Sequence, residues 1–170
     1  MGQSVPCQPL ATSWARPCSG MVKINCDAHL GVTTGLGVVI RDEEGMILVA
    51  AMCKEYAGWA PEVAEAAACR YGLQLAARLG YTSVILESDA AKVVNGVKKM
   101  AGNLTPFSVL VDDICALSHC FVAFSISHVK RAGNTLAYNV ARWDSSGCIE
   151  RVCLGPFPQS LLSSAEIDLY

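Results

Sequence analysis

A chain of 170 residues is the length of one ordinary domain, and with 52% apolar residues it can bury a sizeable core without disulfide or metal staples. Only 16% of the residues are charged and the net charge is −2, which excludes a disordered chain and excludes any polyanion-binding role that rests on bulk charge. An interaction with nucleic acid would have to rest on a local site.

Residues 1–20, with Pro6, Pro9 and Pro17, read as an irregular lead-in, with Trp14 tacking it onto the domain. This start lacks the cationic and then apolar pattern of a secretory signal. Met1-Gly2 suits myristoylation, but Pro6 stands where Ser or Thr is needed. No apolar run reaches membrane-spanning length. The nine cysteines form no Cys-x-x-Cys pair and no zinc spacing, and Cys26, Cys53 and Cys69 sit in apolar runs. Reduced, buried thiols in a reducing compartment are therefore expected, with cytoplasm and nucleus not distinguished.

Three strand-like runs come next. Met21–Leu30 alternates, with Val22, Ile24 and Cys26 on one face and Lys23, Asn25 and Asp27 on the other. Gly35–Arg41 is apolar and β-branched, Asp42 to Gly45 reads as a turn, and Met46–Lys54 is the third run. The short links predict an antiparallel meander. Pro61 opens a helix whose buried stripe is Ala64, Ala67, Ala68, Tyr71, Leu75 and Leu79, and Gly80 stops it.

A fourth strand, Thr82–Leu86, leads into Glu87-Ser88-Asp89. Helices follow at Ala90–Met100, with Asp89 as a plausible cap, and at Thr105–His119, started by Pro106. Cys120–His128 is a fifth strand, and Asn134–Trp143 a last helix capped by Asn134. The order predicts an α/β domain over 21–145, a mixed sheet with helices on its faces, and an irregular tail over 146–170.

Asp27 is an acid inside an apolar strand, and a buried carboxylate needs a partner. Glu65 lies among small residues in the first helix, so another element can approach it closely. Asp89 stands at the C-terminal end of a strand, where ligands gather in α/β sheets. Brought together, three carboxylates would repel unless a cation joined them, and Mg2+ prefers such oxygen ligands. Taken singly, Asp89 also reads as a helix cap, Glu65 as a solvated helix residue and Asp27 as a singly paired acid.

Five segments in order carry a resemblance: Lys23 to Asp27, Gly35 to Asp42, Ala64 to Ala68, Glu87 to Asp89, and His128 to Asn134 with Ala137. Over about residues 14 to 165 the chain resembles the plant ribonuclease-H-like domain, the reverse-transcriptase-like family of type 1 ribonuclease H. The resemblance implies a five-stranded mixed sheet whose first three strands are antiparallel. It also implies cleavage of the RNA strand of RNA–DNA hybrids with two Mg2+ ions, Mn2+ being a possible substitute, held by four carboxylates.

By position Asp27, Glu65 and Asp89 match the first three acids. Asn25, Lys130, Arg131 and Asn134 fall where nucleic acid is contacted, and Arg131 lies near the family's loop His. An arginine there can hold a phosphate but cannot shuttle a proton. Lys92, Lys98 and Lys99 add a modest basic strip, whereas the third helix, around Val111-Asp112-Asp113, is acidic.

The chain departs from the family at two points. Tyr138 occupies the fourth acid's position, and a phenol is a poor Mg2+ ligand. Asp144 is no substitute, because it points away around the helix. Ala28-His29 stands where Gly-Ala is usual, so His29 would clash with a hybrid, contact it, or be an ordinary surface histidine. The resemblance thus implies a hybrid-cleaving ribonuclease, weakened by Tyr138, that acts as a monomer without a membrane partner. Two alternatives are a catalytically impaired module binding hybrid or double-stranded RNA, and a domesticated retroelement fragment with a protein-interaction role.

Overall fold

The computed structural model describes residues 12–55, 58–99, 104–144 and 147–170. Met1-Gly2 and Met100, the expected end of the second helix, lie outside them. One mixed sheet runs through the molecule in the order β5-β4-β1-β2-β3-β6. Its strands are β1 Val22–Leu30, β2 Thr34–Arg41, β3 Ile47–Glu55, β4 Ser83–Ser88, β5 Ala123–His128 and β6 Glu150–Cys153. β1, β2 and β3 form the antiparallel meander, and β4 and β5 run parallel to β1.

The helices are α1 Pro61–Arg78, α2 Ala91–Lys99, α3 Pro106–Ser118, α4 Thr135–Val140 and α5 Gln159–Ile167. They cover both faces of the sheet. Ile24, Cys26 and Val38 pack against Ala67, Leu75, Val97 and Ile114 of α1 to α3. Val39, Ala50 and Met52 pack against Leu136 and Val140 of α4 and Leu161 and Ala165 of α5. Val38 and Val39 enter opposite cores because successive strand side chains alternate. All eight residues of β2 are buried for the same reason.

Two expectations fail here. The sheet has six strands, not five, and the tail over 146–170 is not irregular. β6 pairs antiparallel with β3 at the sheet edge, from Ala50↔Cys153 to Cys53↔Glu150, and α5 closes the second core. Leu79, expected in the buried stripe of α1, is 37% exposed because it caps the helix instead of facing the sheet. Gly80, with φ of 84°, ends that helix as expected.

α5 is anchored by one side chain. Arg41 is 1% exposed, and its Nη1 donates to Asp168 Oδ2 at 2.8 Å, its Nη2 to Ala165 O at 2.9 Å and its Nε to Gly45 O at 3.0 Å. The Trp14 ring lies under this guanidinium at 3.7 Å, so the expected attachment through Trp14 is a cation–π stack.

α4 lies unusually close to β2. A Cβ on Gly37 would overlap the backbone of Ala137 and Ala141, and one on Gly35 would overlap Ala141. Gly37→Ala should therefore lift α4 from the sheet and cost about 3 kcal/mol, the upper end of ordinary overpacking. A shift in the urea midpoint at constant slope would measure it, and an unchanged midpoint would contradict the close packing. Among the described residues no helix is long and apolar enough to cross a membrane.

Candidate functional site

β1 and β4 are parallel neighbours, with Cys26 paired to Ser88, so Asp27, within β1, and Asp89, just past the end of β4, stand side by side where their pairing stops. α1 crosses the same end and delivers Glu65. One carboxylate oxygen from each of Asp27, Glu65 and Asp89 lies within 4.8 Å of the others. The sequence expectation that these three meet agrees with this geometry.

Burial and mutual repulsion set the electrostatics. Asp27 is 6% exposed, and its carboxyl is raised to about 6, first by burial and then by Asp89, against the lowering pull of Arg142 and Arg131. Glu65 is raised to about 8 by burial, then by Asp27 and Asp89, although the Ala28 backbone N–H donates to it. Asp27 Oδ2 and Glu65 Oε2 are buried without a hydrogen-bond partner. Buried polar atoms are normally satisfied, so two orphan carboxylate oxygens facing a third acid suit a cation that prefers oxygen.

Asp89 is not a helix cap. Its Oδ1 accepts from Asn134 Nδ2 at 3.1 Å and its Oδ2 lies 3.5 Å from Arg131 Nε, while Ser88 Oγ accepts the Ala90 N–H. Asn134 stands at the N-cap position of α4 as expected, but its side chain makes no capping hydrogen bond. Arg131–Asn134 is a 3-10 turn ahead of α4, and the Asn134 side chain turns inward to donate to Cys26 O at 2.9 Å and to Asp89.

Asn25 and Asn134, expected to contact nucleic acid, are 3% and 2% exposed. Asn25 Oδ1 accepts from Trp14 Nε1 at 2.9 Å, and its Nδ2 donates to Glu87 at 3.0 Å and to Asn134 Oδ1 at 3.2 Å. Glu87 is held in turn by Lys23 at 3.0 Å and Ser127 at 3.1 Å. These amides brace the site from beneath, because an internal network uses their hydrogen-bonding groups. Of the four expected contacts only Lys130 and Arg131 are exposed. Lys98 and Lys99 are also exposed, whereas Lys92 is paired with Glu62 at 3.0 Å.

Tyr138 is half-buried on α4. Its neighbour escaped the sequence reading. Arg142 stacks on the Tyr138 ring and reaches to 3.8 Å from Asp27 Oδ2. The available signal was the spacing of four residues, which puts two helical side chains together. His29, two residues beyond Asp27 on the same strand face, lines a cleft of about 250 Å³ with Lys54, Arg142 and Trp143. Its imidazole is lowered by burial and then by Arg142.

Comparison with known proteins agrees with this architecture. The family model described as reverse transcriptase-like matches residues 25–144. No curated protein sequence matches the chain. The RNase H1 of the halophilic archaeon Halobacterium salinarum NRC-1 superposes with a TM-score of 0.65 at 22% identity, over 71% of this chain and 93% of that one. The N-terminal RNase H domain of a Mycobacterium tuberculosis protein gives 0.64 at 23% identity, over 71% and 95%. An RNase H1 isolated from compost, solved in complex with an RNA/DNA hybrid, gives 0.63 at 20% identity, over 70% and 92%.

Proposed function

Because the chain belongs to the reverse transcriptase-like family and has the ribonuclease H fold, we propose that it is a nucleic-acid-binding nuclease that cuts the RNA strand of RNA–DNA hybrids using a divalent cation, Mg2+ or Mn2+, held by Asp27, Glu65 and Asp89. The observation that carries this reading is the meeting of three acids from three elements, two of them with orphan buried oxygens. A hybrid is the favoured substrate because two structural neighbours were solved with one bound.

When bound, such a cation polarises a phosphoryl oxygen and lowers the pKa of water. The chain's own residues supply the rest. Asn134 holds Asp89, and the Ala28 N–H holds Glu65. Arg131, exposed beside Asp89, and Lys130 offer donors to the phosphate backbone. The eight described cysteines are all free, which supports a reducing compartment, and a monomer is the accompanying reading.

The test incubates purified protein at high concentration with labelled hybrid, double-stranded RNA and single-stranded RNA in Mg2+ or Mn2+. Cutting of the hybrid's RNA strand that EDTA stops is the expected result, and no cleavage with either ion would overturn it. Tyr138 at the fourth acid's position favours a second reading, a module that binds without efficient cutting. That reading predicts hybrid affinity that falls with salt and survives Asp27→Asn.

A further inference from the structure

Asp27 meets a second positive group that belongs to the protein itself. Arg142 follows the last turn of α4, and three contacts hold its guanidinium. Nη1 donates to Tyr138 O at 2.9 Å, Cζ lies 3.3 Å from the centroid of the Tyr138 ring, and Nη1 stands 3.8 Å from Asp27 Oδ2. The backbone that carries it cannot drift, because Ala137 and Ala141 rest directly on Gly35 and Gly37.

Among the described residues, no fourth His, Cys, Asp or Glu joins Asp27, Glu65 and Asp89 as a candidate ligand. A guanidinium keeps its charge and carries five N–H donors, and both polar contacts named above use Nη1 alone. The side chain is 35% exposed and lines the cleft shared with His29, Lys54 and Trp143, so it is open to ligands.

We propose that Arg142, stacked on Tyr138, is the built-in second cation of this site, and that it keeps a second divalent ion out even where a fourth carboxylate is supplied beside Asp27, Glu65 and Asp89. The inference rests on the metal-dependent reading above and deepens it. Arg142 acts through Asp27 and so is a positioning residue. Tyr138 provides the platform on which the guanidinium is laid. Replacing Tyr138 by an acid is therefore not enough to create a second ion site, because the new carboxylate would pair with Arg142 four residues on.

The test counts bound Mn2+ by calorimetry and by the paramagnetic resonance of the free ion. It uses wild type, Arg142→Gln, Tyr138→Asp and the double variant Tyr138→Asp/Arg142→Gln. The expected counts are one, one, one and two. The Arg142→Gln protein shows that losing the guanidinium leaves a folded, ion-binding site. Two ions in wild type or in Tyr138→Asp would overturn the inference, and so would a single ion in the double variant. Each of those results leaves the proposed function standing. No ion in any of the four proteins would overturn both.

Discussion

Asp27→Asn should remove hybrid cleavage and, without metal, make the protein more stable at pH 8 than wild type. The acid belongs to the proposed cation site, so the loss of activity should exceed about a hundredfold, the upper end of what losing an outer partner alone costs. The stability gain comes from the raised carboxyls, about 6 for Asp27 and about 8 for Glu65, against ordinary values of 3.8 and 4.5. A folded-state pKa above the unfolded value means that the native protein holds protons the unfolded chain has released. The contribution is fully present below about pH 4 and is lost as pH rises through 6 and then 8.

Wild type in EDTA should therefore melt at progressively lower temperature from pH 5 to pH 9. The variant should show a flatter profile and gain on the order of 2 kcal/mol at pH 8. A bound cation competes with those same protons, so Mn2+ affinity should rise over this range. Parallel melting profiles for the two proteins would contradict the buried, mutually repelling arrangement.

The second large effect lies away from the site. Asp168→Ala should destabilise the protein by about 3–5 kcal/mol, the usual result of leaving one partner of a buried ion pair alone. Arg41 would keep its bonds to Gly45 O and Ala165 O but lose its only carboxylate contact at hydrogen-bond distance. The double variant Arg41→Met/Asp168→Leu should recover most of the loss, since apolar residues of similar volume often replace a buried pair without cost. Urea unfolding at pH 7 would measure both, and a loss below about 1 kcal/mol for Asp168→Ala would show that α5 is not anchored through Arg41.

Strong periodicity made most of the fold legible. Ile24 and Cys26 alternate with Lys23, Asn25 and Asp27, and the Ala-rich stripe with Tyr71 and Leu75 leaves little choice for α1. The tail was illegible for a physical reason. In β6, Glu150, Arg151 and Val152 are all exposed, so no alternation marks the strand. Only Leu161 and Ala165 of α5 are buried, one turn apart, beside two prolines that suggest irregular chain.

Site legibility divided in the same way. Asp27 and Glu65 stood out as acids in apolar or small-residue surroundings. The inward turn of Asn25 and Asn134 did not, because a buried amide and an exposed one look alike in a sequence. Arg142 was missed because its meaning depends on Tyr138 lying beneath it and Asp27 within reach, a tertiary fact that a single motif does not carry.

The amide network also has a direction. An indole N–H can only donate, so Trp14 forces Asn25 to present its oxygen, which turns the Asn25 nitrogen toward Glu87 and Asn134. Asn134 must then accept on its oxygen, and its nitrogen is left to face Cys26 O and Asp89. Neither amide can flip here without setting its oxygen against another acceptor and breaking the row. The orientation in which Asp89 meets an N–H instead of a repelling carbonyl is thus set from both ends, by the acceptor-only oxygens of Cys26 and Glu87 and by the donor-only ring on the far side of the network. A substitution such as Trp14→Phe would remove no atom from the acid cluster, yet it would take the donor from one end of the row and leave its direction to the acceptors Glu87, Cys26 O and Asp89 alone.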